Sequence, residues 1–195
     1  MLSSIHPLGE RARHNNWGLT VGSFTVAATL AGAAVGAGLG WIGSVLFATV
    51  DPVALVIGTA VLALAAGLLD LARVRPPGPK RQVNETWIGH YRGWVYGGAF
   101  GAELGIGLVT FVVTWGVFAT YAAELLSTSP WRGAVVGGVF GFGRSFALLL
   151  AGWIDRPSRL SVFHQRMADL GRPVRQATAL GFAVLGVLAT AGAVL

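Results

Sequence analysis

The chain has 195 residues, 54% of them hydrophobic and only 11% charged, with a formal net charge of +6 and a mean hydropathy of +0.66. Soluble domains carry about 25% charged residues, so the composition points to a bilayer protein. Without cysteine the chain has no disulfides, thiolate metal sites or dithiol redox chemistry. Its basic residues lie in links beside apolar runs, which argues against nucleic acid as a partner. Lys80 stands alone among arginines, a usage that fits a high-GC bacterial genome.

In chain order, the N-terminus as far as Trp17 is polar and holds Glu10, Arg11 and Arg13. The apolar run after it is too long for a signal-peptide core and has no cleavage signature, so it reads as a retained span. Five spans are predicted, roughly 17–48, 53–72, 93–125, 133–154 and 174–195, in a single membrane domain covering 1–195. About 20 residues cross the hydrocarbon. The first and third runs are longer, so they tilt, bend or protrude.

The links alternate in charge. Link 73–92 carries Arg73, Arg75, Lys80, Arg81 and Arg92, and link 155–173 carries Arg156, Arg159, Arg166 and Arg172. The two other links are short. The positive-inside rule then places the N-terminus in the cytoplasm and the C-terminus outside, in a multi-pass protein of the cell (inner) membrane. Apolar residues at helical spacing (Val83, Trp87 and Tyr91; Leu160, Phe163, Met167 and Leu170) predict interfacial amphipathic helices in both basic links. These either anchor the chain at the interface or dock a partner. Asn84-Glu85-Thr86 matches a glycosylation sequon that is inert on the cytoplasmic side. A long glycine-rich span, a short link, a shorter span and a basic Pro-containing link occur twice, with Arg75-Pro76 answering Arg156-Pro157. This predicts a two-unit parallel repeat, of a kind found in transporters.

Glycines recur every four residues at Gly32, Gly36 and Gly40, at Gly97, Gly101 and Gly105, and at Gly137 and Gly141. Small residues at this spacing let helix backbones approach closely in lipid. The ladders pack spans within one chain or between subunits. Trp17, Trp41, Trp87, Trp94, Trp115, Trp131 and Trp153 fall mostly near span ends and read as an aromatic belt.

Two charges fall inside apolar runs. Glu103 lies about ten residues into the third run and Arg144 about ten residues before the end of the fourth, which puts both about 15 Å from the same face. A mid-span charge costs roughly 2.5–3.5 kcal/mol on insertion scales, so it faces a partner or a wet cavity. The two spans share a short link and are expected to be neighbours, which makes an ion pair geometrically easy. Three readings stay open. The pair fixes span packing; it forms a gate or solute site, with Arg144 attracting an anion or Glu103 carrying a proton; or each charge meets a partner subunit. Thr110 and Thr114, with Tyr121, continue the third run outward, and Ser145 follows Arg144. They extend a polar lining, although hydroxyls in spans often bond their own backbone. The candidate substrate-binding or gating residues are therefore Glu103, Arg144, Thr110, Thr114 and Ser145. His14, His90 and His164 each precede an odd-numbered span and are the candidates for a metal, although interfacial histidines without a ligand are the default. No cofactor is expected.

The segments Gly97-Gly98-Ala99-Phe100-Gly101 and Gly138-Val139-Phe140-Gly141-Phe142-Gly143 resemble the cytochrome c biogenesis transmembrane class, the CcdA/DsbD-like group of small polytopic bacterial proteins. The resemblance covers spans three and four and implies a two-unit helical bundle. That family relays reducing equivalents through a cysteine in the leading helix of each repeat, usually beside proline. The leading helices here have neither cysteine nor internal proline, and five spans depart from six, so no residue inherits a redox role.

The sequence thus predicts an all-α, polytopic integral membrane bundle of about five helices with a two-unit repeat. The expected function is transport or permeation of a small, anionic solute or ion, and the chain is more a carrier than an enzyme. The alternative is a non-catalytic integral subunit that anchors or regulates a larger complex, with a second copy or another membrane protein as partner beside the bilayer itself.

Overall fold

The computed structural model describes residues 5–79, 86–109, 112–153, 156, 159, 161–162, 165–166, 169–171, 173–174, 176–182 and 184. Among them the order is α1 Pro7–Ala12, α2 Trp17–Leu46, α3 Pro52–Leu71, α4 Trp87–His90, α5 Gly93–Ile106, α6 Gly116–Leu126 and α7 Pro130–Leu150, followed by a 3-10 turn at Ala151–Trp153.

Local chemistry sets the ends of these helices. Pro7, Pro52 and Pro130 occupy first helical positions, where proline's fixed φ and missing N–H cost nothing. The His6 ring accepts from Gly9 N–H at 3.1 Å. The Asn16 side chain accepts from Gly18 and Leu19 at 2.9 and 3.3 Å, and Asp51 accepts from Val53 at 2.7 Å. These side chains take N–H groups that each first turn leaves without an intrahelical partner.

Three helices, α2, α3 and α7, are long and apolar enough to cross a membrane. The α2 helix is central, packing on both α5 and α7, while α3 packs on α6. Its buried face is built of small residues such as Ala28, Gly32, Gly36, Gly40 and Gly43. Leu19, Val26, Leu30, Val45 and Leu46 point outward instead. Small residues inside and large apolar ones outside is the arrangement of helices packing in lipid. The backbones are in direct contact. A methyl group added at Gly36 would overlap the Gly133 carbonyl, and one added at Gly101 would overlap the Phe24 carbonyl.

The same contacts give the directions. Gly32, Gly36 and Gly40 meet Gly137, Gly133 and Ser129, so α7 runs antiparallel to α2. Gly97, Gly101 and Gly105 meet Thr20, Phe24 and Ala28, so α5 runs parallel to it. Gly58 lies beside Leu126, and Asp70 bonds Trp115, so α3 is antiparallel to α6.

The third apolar run, expected as one span over 93–125, is divided between α5 and α6. The two pieces together still cover the height of α2, because Gly93 sits at Thr20 and Leu125 at Gly43. At 1.5 Å per residue that interval of α2 is about 35 Å, more than the roughly 30 Å hydrocarbon core. The interruption follows from sequence. Gly105 and Gly107 are succeeded by the β-branched Val109, Thr110, Val112, Val113 and Thr114, which lose rotamer freedom in a helix. Gly107 adopts φ 85°, a left-handed conformation that glycine enters without a Cβ penalty.

In the first basic link Val83 lies outside the described residues, and the described part of the expected amphipathic helix is a single turn, α4. Its Trp87 stacks on Phe100, with ring centroids 6.3 Å apart. In the second link Leu160, Phe163 and Met167 lie outside the described residues, as does most of the expected span 174–195.

A candidate functional site at the broken helix

A helix interrupted inside a bundle exposes carbonyls at the end of its first half and N–H groups at the start of its second. In lipid these must be satisfied by the protein or by a water-filled cavity. Here neighbouring side chains meet them from two sides. On the α6 side, the Asp70 carboxylate accepts the Trp115 N–H at 3.0 Å and the Thr114 hydroxyl hydrogen bond. Thr114 Oγ1 in turn accepts the Gly116 N–H at 3.0 Å. Asp70 is 6% exposed and stands near the end of α3, so it clamps α3 to α6. Trp115 Nε1 tightens this corner by donating to the Val74 carbonyl at 3.0 Å.

On the α5 side, the Tyr121 hydroxyl donates to the Ile106 carbonyl. Arg144 Nη1 donates to the Gly107 carbonyl at 3.4 Å, and its guanidinium lies 5.3 Å from the Phe140 ring centroid, within cation–π range. An anionic group therefore meets the positive end of α6 and a cationic group the negative end of α5, which is the favourable sense at both helix ends. Broken helices of this kind build the solute sites of many transporters.

The expected site residues separate under this geometry. Arg144 and Thr114 belong to the break. Thr114 is not one turn of a continuous helix but part of the junction that Asp70 holds. Glu103 is half-buried on α5, and among the described residues it forms no ion pair or hydrogen bond with Arg144. Ser145 is fully buried, but its hydroxyl donates to the Phe142 carbonyl of its own helix at 2.7 Å. Thr110 lies outside the described residues.

Among the described residues the histidines do not converge. His6 caps α1. His14 has φ 58° and lines a polar cleft at the start of α2 with Arg11, Asn15 and Trp17. His90 Nδ1 lies 2.8 Å from the Thr86 carbonyl, and His164 is outside the described residues. Among the described residues no three His, Asp or Glu side chains gather as a metal site.

Sequence reasoning missed two carboxyls because they fall near the ends of their runs. Asp70 is one. The other is Glu124, 1% exposed, whose Oε2 has no hydrogen-bond partner among the described residues. Its carboxyl fills space left by two glycines, coming within 3.3 Å of where a Gly36 Cβ would stand and 2.9 Å of where a Gly137 Cβ would stand. The available signal was an acid inside an apolar run, the same criterion that selected Glu103.

A third carboxyl, Glu10, is fully buried at the other end of the bundle. It accepts from Arg13 at 2.6 Å, Thr20 at 2.9 Å and Tyr96 at 2.5 Å. The Asn15 side chain accepts from Gly93 N–H at 3.3 Å. This cluster ties α1 to α2 and α5, and both carboxylate oxygens of Glu10 accept hydrogen bonds within it.

Long apolar helices with small residues inside, large ones outside and carboxyls within the bundle define a polytopic α-helical membrane protein. Over 147 residues, 73% of the chain, it is 31% identical to the methylamine utilization protein MauF of Methylophilus methylotrophus. Over 150 residues it is 31% identical to MauF of Paracoccus versutus. The chain spans about half the length of these curated relatives, 52% and 54%. No protein-family model matches it, and no solved structure does. It is a bacterial polytopic membrane protein distantly related to MauF, and the likeness to the cytochrome c biogenesis class extends no further than that coarse description.

Proposed function

We propose that the chain is a non-catalytic integral membrane component of a larger cellular system, in the setting its relatives are named for, methylamine utilization. The observation that carries this reading is the 31% identity to MauF across 147 residues. A five-crossing form with a cytoplasmic N-terminus and two parallel units belongs to the proposal. It is supported by the alternating directions of α2, α3, α5–α6 and α7 and by the basic residues in links 73–92 and 155–173. The test is deletion of the gene in its host together with crosslinked purification of the tagged chain. The reading expects lost growth on methylamine, normal growth on other nitrogen sources and a stoichiometric membrane or surface partner. Undiminished growth with a monodisperse lone protein would contradict it.

The break favours a second reading, passage of a small anionic solute or a proton at the α5–α6 junction. Arg144 and Asp70 would hold the pathway's two ends in register, with Glu103 one turn before the break. Neither of two clefts, one polar at the start of α2 and one apolar beside α3, is lined by Glu103 or Arg144, so this reading requires the junction to open. Flux into liposomes should fall about tenfold in Arg144→Gln, the equivalent of one charge-assisted hydrogen bond. Unchanged flux in that variant excludes it.

A further inference from the structure

Beside α3 the bundle has a cleft of about 500 Å³. Its walls include Leu55, Ala60 and Ala63 of α3 and Ala119 and Ala123 of α6, and because the Thr59 and Thr120 hydroxyls between them donate to carbonyls of their own helices, it is apolar for most of its length. One mouth differs. Pro52 at the start of α3, Ser127 and Thr128 in the α6–α7 link, and Arg132 in the first turn of α7 meet there. Arg132 is exposed and forms no ion pair among the described residues. The nearest acids in sequence are turned to other work. Asp51 caps α3, and Glu124 points between α2 and α7; neither lines the cleft.

Length and polarity together select the occupant. From Pro52 to Ala63 the α3 wall rises about 17 Å, which is close to half of the roughly 30 Å hydrocarbon core. The polar mouth sits where a span begins and the apolar walls run inward from it. That matches an amphiphile with an anionic head and a tail one leaflet deep. Basic residues at the membrane surface attract anionic lipid headgroups in this way, and the Thr128 hydroxyl adds a donor for phosphate oxygens, while the Ser127 hydroxyl donates to the Glu124 carbonyl at 2.6 Å. We propose that this groove binds one anionic phospholipid, its phosphate at Arg132 and one acyl chain between α3 and α6.

The test is native mass spectrometry of the full chain in detergent, titrated with phosphatidylglycerol or with phosphatidylcholine of the same chains. A single retained phosphatidylglycerol is expected, with phosphatidylcholine bound at least about fivefold more weakly. Arg132→Gln should weaken phosphatidylglycerol by about fivefold, the effect of one surface charge. Arg132 is exposed, so this variant leaves the packing intact. Ala123→Trp should block the tail. Should that variant fold poorly, a photoreactive acyl chain on the native protein reads the same point, and crosslinks are expected on α3 and α6. Equal binding of the two lipids, an unchanged Arg132→Gln, or crosslinks scattered over other helices would overturn the assignment. So would a groove that holds no lipid because the segment bearing Phe182, which also lines it, or a neutral quinone fills it.

Discussion

At the residue scale the break depends on a few polar side chains whose partners are backbone groups. Asp70 takes the place of an N-cap for α6 but reaches it from another helix. Asp70→Ala removes both contacts, and an N-cap loss costs roughly 0.5–2 kcal/mol. Thermal unfolding in detergent should fall by that amount, and Asp70→Asn should lose less. An unchanged Asp70→Ala would mean that the α6 N-terminus is satisfied elsewhere. Glu124 makes the opposite prediction. Its Oε2 has no partner among the described residues, so an amide of the same shape breaks no hydrogen bond at that atom. Glu124→Gln should therefore match the native stability within about 1 kcal/mol. A loss above about 2 kcal/mol, the cost of orphaning a buried polar partner, would show that the carboxylate has one. Of the intramembrane carboxyls only Glu103 was singled out from the sequence, because Asp70 and Glu124 fall near the ends of their apolar runs. What Arg144 bonds was not legible, because its acceptor, the Gly107 carbonyl, becomes free only once the helix breaks.

At the element scale the glycine ladders fix how closely α2 meets α5 and α7. Their period of four was legible directly, and so were the three long helices, because hydropathy over about 20 residues is what those elements require. The break was not, because a hydropathy window averages over 93–125 and every residue near it is apolar enough to pass. The signal lay in local propensity instead, in Gly107 followed by a β-branched run. The ladder is testable by contrast within one helix. Gly36→Leu drives a side chain into the Gly133 carbonyl; overpacking costs typically 1–3 kcal/mol, and here the obstacle is backbone, which cannot swing aside. Gly38→Ala meets nothing within 4 Å and should gain roughly 0.5–1 kcal/mol from helix propensity. Chemical unfolding of both variants in one detergent checks the pair. Equal effects would mean that α2 and α7 are further apart than described.

At the scale of the whole molecule the exterior of the long helices is apolar, with Leu19, Leu30, Val61, Leu68 and Val139 all exposed, and the Glu10, Asp70 and Glu124 carboxyls lie inside. Lipid explains that inversion, since large apolar side chains gain nothing by turning from it and small ones let backbones meet. The pairing of Glu103 with Arg144, argued from equal depth, captured that α5 and α7 are neighbours but not that Arg144 serves a broken backbone.

The central structural claim is that α5 and α6 together form one interrupted crossing. The chain has no cysteine, so single cysteines can be read without background. Arg92→Cys marks the entry to α5 and Ser129→Cys the exit from α6. Labelled with an impermeant maleimide in sealed, oriented vesicles, the two should react from opposite sides of the membrane. Reaction of both from the same side would make the pair a re-entrant hairpin and contradict the account.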